Sequence, residues 1–223
     1  MKIDINNIKS IIFDMDGVIF DTELVYLEIW SKVFEKYGYK LQKEVYAEVL
    51  GTGRENVKKV FLNNYGNELP IDKMYREKDE DLEKAVDKGI PLKQGAYEIL
   101  SYLKNNNYKI ALATSASKER ALKQLRYADI EKFFDVIVSR DDVKETKPNP
   151  DIFLKAAKKL NVNPNECIVI EDSSAGIKAA FNAGMAGIHV VDLKEPDNEI
   201  IRNCYKSFNN LNDIGKEIEM LRG

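Results

Sequence analysis

Short apolar runs alternate with longer helical patterns along most of this 223-residue chain. Each run is rich in Ile and Val and is bounded by polar or turn residues, which is typical of strands buried on both faces of a sheet. The predicted strands cover residues 8–13, 109–114, 134–139, 167–171 and 187–191, and the predicted helices between them cover 95–106, 117–128, 150–161 and 174–184. This alternation predicts an α/β fold with a doubly wound parallel sheet, which is a Rossmann-like core.

One long stretch breaks the alternation. Residues 22–88 contain no strand pattern, and helical segments are predicted at 23–37, 43–50, 54–65 and 71–88. Leu27, Trp30, Phe34 and Tyr37 form an apolar stripe along the first of these segments, as expected for a helix that packs in a core. We therefore predict two domains, which are an α/β core from residues 1–21 and 89–223 and a small all-helical domain from residues 22–88.

The position of the helical insert suggests its role. It follows the first strand directly, and open α/β sheets bind ligands at the carboxyl ends of their strands. We therefore expect the insert to act as a cap over a small ligand. Its charge-dense segment, residues 73–88, predicts a helix face exposed to solvent.

The charge balance excludes several classes of partner. The chain has 34 basic and 37 acidic residues, so it has no overall positive field for nucleic acid or an anionic membrane. No apolar stretch approaches the roughly 18 residues that would span a bilayer, and no signal-peptide pattern is present. Two cysteines without metal-ligand spacing cannot form a disulfide framework. We expect a soluble, cytoplasmic monomer without nucleic-acid or membrane partners.

Two carboxylates at the end of the first predicted strand carry the strongest chemical signal. The apolar run ends directly in Asp14 and Asp16, with Met15 between them and Gly17 after them. Ionised carboxylates at the end of a buried strand cost desolvation free energy unless a cation meets them, and each raises the pKa of the other. Oxygen ligands of this kind suit Mg²⁺, so the sequence predicts a magnesium site here.

Polar side chains also follow the other predicted strands. Thr114 and Ser115 follow the second strand, Lys147 comes after the third, and Glu171 and Asp172 end the fourth. Because the carboxyl ends of parallel strands meet at one edge of a sheet, these side chains are expected to converge on one crevice. Such a set suits phosphoryl transfer through a covalent aspartyl-phosphate.

Each residue of this set has a predicted role. Asp14 attacks phosphorus, and Asp16 protonates the leaving oxygen and then takes a proton from the attacking water. Thr114 donates a hydrogen bond to a phosphoryl oxygen, and Lys147 neutralises the nucleophile and the developing charge. The candidate metal ligands are Asp14, Asp16 through its backbone carbonyl, Asp172, and Glu171 either directly or through water.

Four segments of the sequence identify a resemblance. Residues 14–22, 113–115, 147–153 and 170–177 resemble the four motifs of the haloacid dehalogenase superfamily, and specifically of the subfamily with a helical cap after the first strand. The match covers nearly the whole chain. The resemblance implies that Asp14 is the nucleophile, Asp16 the acid and base, Thr114 and Lys147 the phosphoryl contacts, and Asp172 a metal ligand, in agreement with the roles argued above.

Three activities within this superfamily compete. Dehalogenases lack a second aspartate two positions after the nucleophile, so Asp16 argues against that activity. The segment 51–54 resembles the cap segment of β-phosphoglucomutases, which places an arginine on the distal phosphate of a bisphosphate, and Lys78 falls near their cap lysine. Those mutases have a histidine early in the cap where this chain has Tyr26, and the only histidine, His189, is predicted to be a core or edge residue.

Hydrolysis of a small phosphorylated sugar is therefore the favoured prediction, with mutase activity as the alternative. A receiver-like phospho-acceptor without enzymatic activity is a remote third hypothesis, since receiver modules carry the acidic pair and the acceptor aspartate on different strands. Substrate identity is expected to depend mainly on the cap. The predicted substrate-binding residues are Tyr26, Gly51, Arg54, Lys78, Ser115 and Ala116.

Overall fold

A six-stranded parallel sheet lies at the centre of the larger of two units in the computed structural model, which describes residues 7–50, 52–192 and 195–222. Within these residues the strands are β1 (Ser10–Phe13), β2 (Lys109–Ala113), β3 (Val136–Val138), β4 (Cys167–Glu171), β5 (Ala186–Val190) and β6 (Lys206–Phe208). The helices are α1 (Thr22–Lys36), α2 (Lys43–Val49), α3 (Arg54–Tyr65), α4 (Ile71–Lys88), α5 (Ala96–Asn105), α6 (Lys118–Tyr127), α7 (Asp151–Leu160), α8 (Ser174–Asn182), α9 (Asn198–Asn203) and α10 (Leu211–Arg222).

The strand order places β1 at the centre of the sheet. The order is β3-β2-β1-β4-β5-β6, and all neighbouring strands are parallel. The chain moves outward from β1 through β2 to β3, and then returns to the other side of β1 at β4. This reversal is the topological switch point at which open α/β sheets form their ligand crevice.

Apolar side chains cover both faces of the sheet. Ile12, Ala111 and Val169 are buried in one cluster with apolar residues of α7 and α8. Ile11 and Leu112 are also fully buried, and the alternation of side chains along a strand places them on the opposite face. The continuous burial of β1, β4 and β5 explains their unbroken apolar sequence and confirms the predicted doubly wound sheet.

The last quarter of the chain contains elements that the sequence analysis did not predict. Strand β6 has three residues and only Phe208 is strongly apolar, while α9 has six residues. Helix α10 is longer and contacts both α5 and β6. Elements this short have too few residues for a hydrophobic period to stand out, so the strand next to β5 was missed.

Helix α7 begins at Asp151, one residue after the start of the helix predicted at 150–161. The residue that precedes its first turn is Pro150. The side chain of Asn149 nevertheless accepts a hydrogen bond from the backbone N–H of Asp151, with a distance of 3.0 Å. The asparagine therefore satisfies one free N–H of the helix from a position one residue outside the cap.

The chain divides into two units at Asp21/Thr22 and Ile90/Pro91, and the smaller unit contains α1 to α4. Its core is an aromatic cluster in which Trp30, Phe34 and Phe61 contact one another edge to face, with ring centroids 5.0 to 6.1 Å apart. Tyr75 packs against Trp30 at 4.9 Å. Edge-to-face geometry is the arrangement that aromatic quadrupoles favour, so this unit has a hydrophobic core of its own.

The prediction that the charged segment 73–88 is a solvated face is wrong for Lys78. Its side chain is buried, together with Met74, Tyr75 and Val86 of the same helix. These positions recur at helical spacing, so α4 is amphipathic and Lys78 lies on its buried side. Among the described residues, no helix is both long enough and apolar enough to cross a membrane.

We expect Phe61→Ala to lower the free energy of unfolding by about 3–5 kcal/mol, because it leaves a cavity in a fully buried aromatic cluster. Urea unfolding followed by circular dichroism measures this change. The matched control is Phe181→Ala, which removes the same side chain from a half-exposed position on α8 and should change stability by about 0.5 kcal/mol or less. Equal effects of the two substitutions would contradict the packing described for the helical unit.

Candidate active site

The register of the sheet brings the carboxyl ends of three strands to one level. Phe13 pairs with Leu112 on one side and with Ile170 on the other. The residues that follow each of them, which are Asp14, Ala113 and Glu171, therefore lie in one row at the carboxyl edge. The backbone N–H of Asp14 donates to the carbonyl of Ile170 at 3.0 Å, which fixes the nucleophile candidate against β4.

Three carboxylates from two strand ends meet in this row. Asp14, Glu171 and Asp172 each offer an oxygen, and these atoms lie within 4.8 Å of one another. Asp14 and Glu171 are buried, and Asp172 is partly buried. An all-oxygen donor set with this much negative charge suits a hard divalent cation such as Mg²⁺. The residues present therefore fit the predicted metal.

Lys147 brings a positive charge into the same cluster. Its Nζ donates to a carboxylate oxygen of Asp14, to Oε1 of Glu171 at 2.7 Å, and to the carbonyl of Ala113 at 3.3 Å. Its side chain is only 7% exposed, and Nζ lies 5.0 Å from the centroid of the Phe153 ring. One lysine thus connects the carboxyl ends of β1, β2 and β4.

Burial and charge shift the ionisation of this cluster in opposite directions. Burial raises the pKa of Asp14 to about 7, and the attraction of Lys147 offsets only part of that rise. The pKa of Lys147 is raised above its ordinary value, because Asp14 and Glu171 outweigh the effect of burial. The pKa of Glu171 is lowered, since Lys147 and hydrogen bonds from Ser173 outweigh its burial.

The orientation of Glu171 is set by the start of α8. Its Oε2 accepts hydrogen bonds from the backbone N–H of Ser173 at 2.7 Å and from the Ser173 hydroxyl at 2.9 Å. The Ser173 oxygen in turn accepts from the N–H of Gly176 at 3.1 Å, which makes Ser173 the N-cap of the helix. Glu171 is therefore held rigidly, with its other oxygen on Lys147.

Two glycines leave space for the carboxylates. A Cβ atom at Gly17 would lie 2.2 Å from Oδ2 of Asp172, and one at Gly176 would lie 1.9 Å from the Glu171 carboxyl carbon. Gly17 also has a φ of +77°, which a glycine adopts without strain. These residues belong to the first and fourth motifs, so the glycines of those motifs have a steric function at the site.

Asp16 takes a different position from the other acidic residues. Its Oδ1 accepts a hydrogen bond of 2.6 Å from Nη2 of Arg120, a partner that the sequence analysis did not identify. The Asp16 carboxylate is not part of the group of three described above, and the contact of its backbone carbonyl with a metal stays a prediction. Arg120 lies in the first turn of α6, and 104 residues separate it from Asp16, so no local pattern indicated the pair.

Thr114 lies at the end of β2, and its side chain is almost completely buried. Its Oγ1 accepts a hydrogen bond from the backbone N–H of Ala116 at 3.0 Å, which leaves its hydroxyl proton for donation. Ser115 is exposed and Ala116 is buried. The helix cap that follows is Ser117, whose Oγ accepts from the N–H of Arg120 at 3.3 Å. Thr114 is therefore not required as an N-cap.

His189 lies completely inside the sheet on β5. Its Nε2 is 3.1 Å from the backbone carbonyl of Asp172, and its Nδ1 is 3.1 Å from the Ser207 hydroxyl on β6. Burial lowers the pKa of His189, so the ring is neutral at pH 7, with Nε2–H donating and Nδ1 accepting. The predicted core histidine thus supports the backbone of a carboxylate residue in the site.

The predicted cap residues surround a cavity of about 340 Å³ within the helical unit. Tyr26, Arg54 and Lys78 all line it. The Arg54 guanidinium lies 4.3 Å from the centroid of the Tyr75 ring, and the Lys78 ammonium lies 5.2 Å from that of Tyr26, so both cations contact aromatic faces. Gly51, the remaining cap prediction, lies outside the described residues.

Comparison with known proteins agrees with this fold and site. The family model for haloacid dehalogenase-like hydrolases matches residues 11–190. A phosphorylated carbohydrates phosphatase of Thermotoga maritima is 34% identical over 183 residues, which is 82% of this chain and 85% of the relative. A β-phosphoglucomutase of Bacillus subtilis is 36% identical over 190 residues, which is 82% of this chain and 83% of the relative.

A solved structure is similar over almost the full length. It is that of a putative β-phosphoglucomutase from Thermotoga maritima, with a TM-score of 0.79 and 29% identity, and the match covers 96% of this chain and 99% of that chain. The motifs, the sheet order, the carboxylate cluster and these matches agree with one another. The chain therefore belongs to the haloacid dehalogenase-like hydrolases.

Proposed function

We propose that the protein is a Mg²⁺-dependent phosphatase that hydrolyses a small phosphorylated sugar or a related phosphomonoester through an aspartyl-phosphate. The arrangement of Asp14 carries the proposal, because this carboxylate lies in a buried cluster with Lys147 and two further carboxylates. The names of the relatives support a phosphorylated carbohydrate as substrate. A cluster of this kind has no evident purpose in packing, since it costs desolvation.

The first half of the reaction uses Asp14 as nucleophile. One carboxylate oxygen of Asp14 bonds to phosphorus while the ester P–O bond breaks, and Asp16 gives its proton to the departing alcohol oxygen. Asp14, Asp172 and the carbonyl of Asp16 would hold Mg²⁺, with Glu171 directly or through water. The ion would supply charge neutralisation on the phosphoryl oxygens, so that an anionic nucleophile can approach.

The second half regenerates the enzyme. Asp16, now a carboxylate, takes a proton from water, and the resulting hydroxide attacks phosphorus and breaks the bond to Asp14. Thr114 donates its hydroxyl proton to a phosphoryl oxygen, while Lys147 balances the charge that returns to Asp14. In this scheme Arg120 holds Asp16 at the rim of the site by their 2.6 Å contact.

The helical unit would act as the cap domain in this scheme. We propose that the region predicted at 22–88 recognises the part of the substrate beyond the phosphoryl group, through Tyr26, Arg54 and Lys78. Ser115 and Ala116 would bind the substrate near its phosphoryl group, since they follow Thr114 directly. A cap that excludes bulk water would strengthen the electrostatic contacts to the phosphoryl group.

Mutase activity is the second candidate, because one relative with 36% identity is a β-phosphoglucomutase. A mutase would convert β-glucose 1-phosphate into glucose 6-phosphate with little release of phosphate. A panel of sugar phosphates, assayed with Mg²⁺ and with EDTA, separates the two activities. Phosphate release that EDTA abolishes supports the phosphatase, whereas isomerisation without release from any substrate would assign the mutase activity.

We expect Asp14→Asn to reduce turnover to about 10⁻⁴ of wild type or less, because the amide cannot act as the nucleophile. Asp16→Asn should reduce kcat by about 10²–10⁴-fold, through loss of general acid and base. Phosphate release under saturating Mg²⁺ measures both effects. Asp129→Asn is a matched control, since Asp129 is an exposed aspartate whose positive φ asparagine also adopts. Full activity of Asp14→Asn would contradict the covalent mechanism.

The affinity for Mg²⁺ should fall at low pH. Because the pKa of Asp14 is raised to about 7, protons compete with the metal below that pH, and affinity should drop about tenfold for each unit. Above pH 7 Asp14 is ionised and the affinity should level off. Titration calorimetry at pH 6 and pH 8 tests this expectation. The control Asp14→Asn should bind more weakly, with little pH dependence, and equal wild-type affinity at both pH values would refute the assignment.

Gly176→Ala should weaken Mg²⁺ binding and lower activity by about tenfold or more, because the new Cβ displaces the Glu171 carboxyl group. Gly215→Ala is the matched control, since its Cβ would meet its nearest neighbour only at 3.8 Å in another helix. Phosphatase assays over a range of Mg²⁺ concentrations measure both variants. A Gly176→Ala enzyme with wild-type Mg²⁺ dependence would show that the position of Glu171 is unimportant.

A further inference from the structure

We infer that Asp79 is a specificity-determining residue, which makes the cavity of the helical unit select sugar or polyol monophosphates and disfavour bisphosphates. The inference rests on the proposed phosphatase function and adds to it a discrimination against a second phosphate. The selection acts on the part of the substrate that lies beyond the reacting phosphoryl group. None of the sequence motifs indicated Asp79.

The observation that carries the inference is one carboxylate between two cations. Oδ2 of Asp79 lies 2.7 Å from Nη2 of Arg54, and its Oδ1 lies 2.6 Å from Nζ of Lys78. Arg54 is the residue that would meet a distal phosphate in a mutase-like cap, and Lys78 lines the same cavity. In this chain an internal carboxylate already takes the place of that anion.

The charges around the cavity are balanced. Its lining contains two basic residues, Arg54 and Lys78, and two acidic residues, Glu23 and Asp79. Lys78 is buried, so its charge needs a close counterion, and Asp79 supplies it. A second phosphate dianion would enter a cavity without net positive charge and would lie against a carboxylate, which disfavours its binding.

The remaining lining suits hydroxyl groups. The Tyr46 hydroxyl donates to Glu23 at 3.1 Å, and phenol and carboxylate oxygens of this kind accept hydrogen bonds from a polyol. Trp30 and Tyr75 also line the cavity, and their aromatic rings are surfaces against which the C–H groups of a sugar can pack. The volume of about 340 Å³ lies at the small end of ligand cavities. An uncharged carbohydrate therefore fits this chemistry better than a second phosphate.

The test compares two substrates that differ in one phosphate. Initial rates of phosphate release from glucose 6-phosphate and from glucose 1,6-bisphosphate give the ratio of their kcat/KM values for the wild type, Asp79→Asn and Asp79→Ser. We expect the wild type to prefer the monophosphate. Both variants free Arg54 and Lys78 and should shift the ratio toward the bisphosphate by about tenfold, mainly through KM for the bisphosphate.

Asp81→Asn is the matched control, because it removes the same charge two residues along α4, where Asp81 pairs with Lys84 at the surface. It should leave the ratio unchanged. Substitution of Asp79 removes the counterion of a buried lysine and should lower the stability, but the Asp79 side chain is 47% exposed, so we expect both variants to fold, and thermal melts check this. An active wild type with an unchanged ratio in both Asp79 variants, or with a preference for the bisphosphate, would overturn the inference. A wild type without Mg²⁺-dependent phosphatase activity would instead refute the proposed function.

Discussion

The ion pairs of Lys147 with Asp14 and Glu171 are the interaction on which the site depends. All three groups are almost completely buried, and an uncompensated charge at such a position is strongly destabilising. Burial raises the pKa of Asp14, and the attraction of Lys147 offsets only part of that rise, so the pKa stays above its ordinary value. The carboxylates of the cluster therefore favour binding of further positive charge, and a divalent cation would supply it and keep Asp14 ionised.

The scaffold around this cluster holds it in place through backbone geometry. The parallel register sets Asp14 level with Glu171, the N-terminus of α8 orients the glutamate, and Gly17 and Gly176 leave the space that both acidic groups need. Such supporting contacts fix the positions of functional groups more tightly than the groups could themselves. The helical unit has its own core and its own cavity, and the proposed selection of substrate would depend on that cavity.

Much of this structure follows from the sequence pattern, with specific exceptions. Five of the six described strands were predicted, because strands buried on both faces read as continuous apolar runs. Strand β6 was not predicted, since its three residues carry no such signal. The contact between His189 and Ser207 of β6 was therefore not predicted either. Lys78 was assigned to a solvated face because the segment is highly charged, whereas packing of α4 buries it.

The sequence by itself determined the fold class, the family and the residues that gather at the carboxyl edge of the sheet. It could do so because strands, turns and motifs are local patterns, and a parallel sheet places strand ends together. Only the tertiary structure decided the partners: Arg120 for Asp16, the carbonyl of Asp172 for His189, and Asp79 for Arg54 and Lys78. Except for Lys78 and Asp79, which are neighbours on α4, these pairs join residues that are far apart in the sequence, and only packing brings such groups within hydrogen-bond distance.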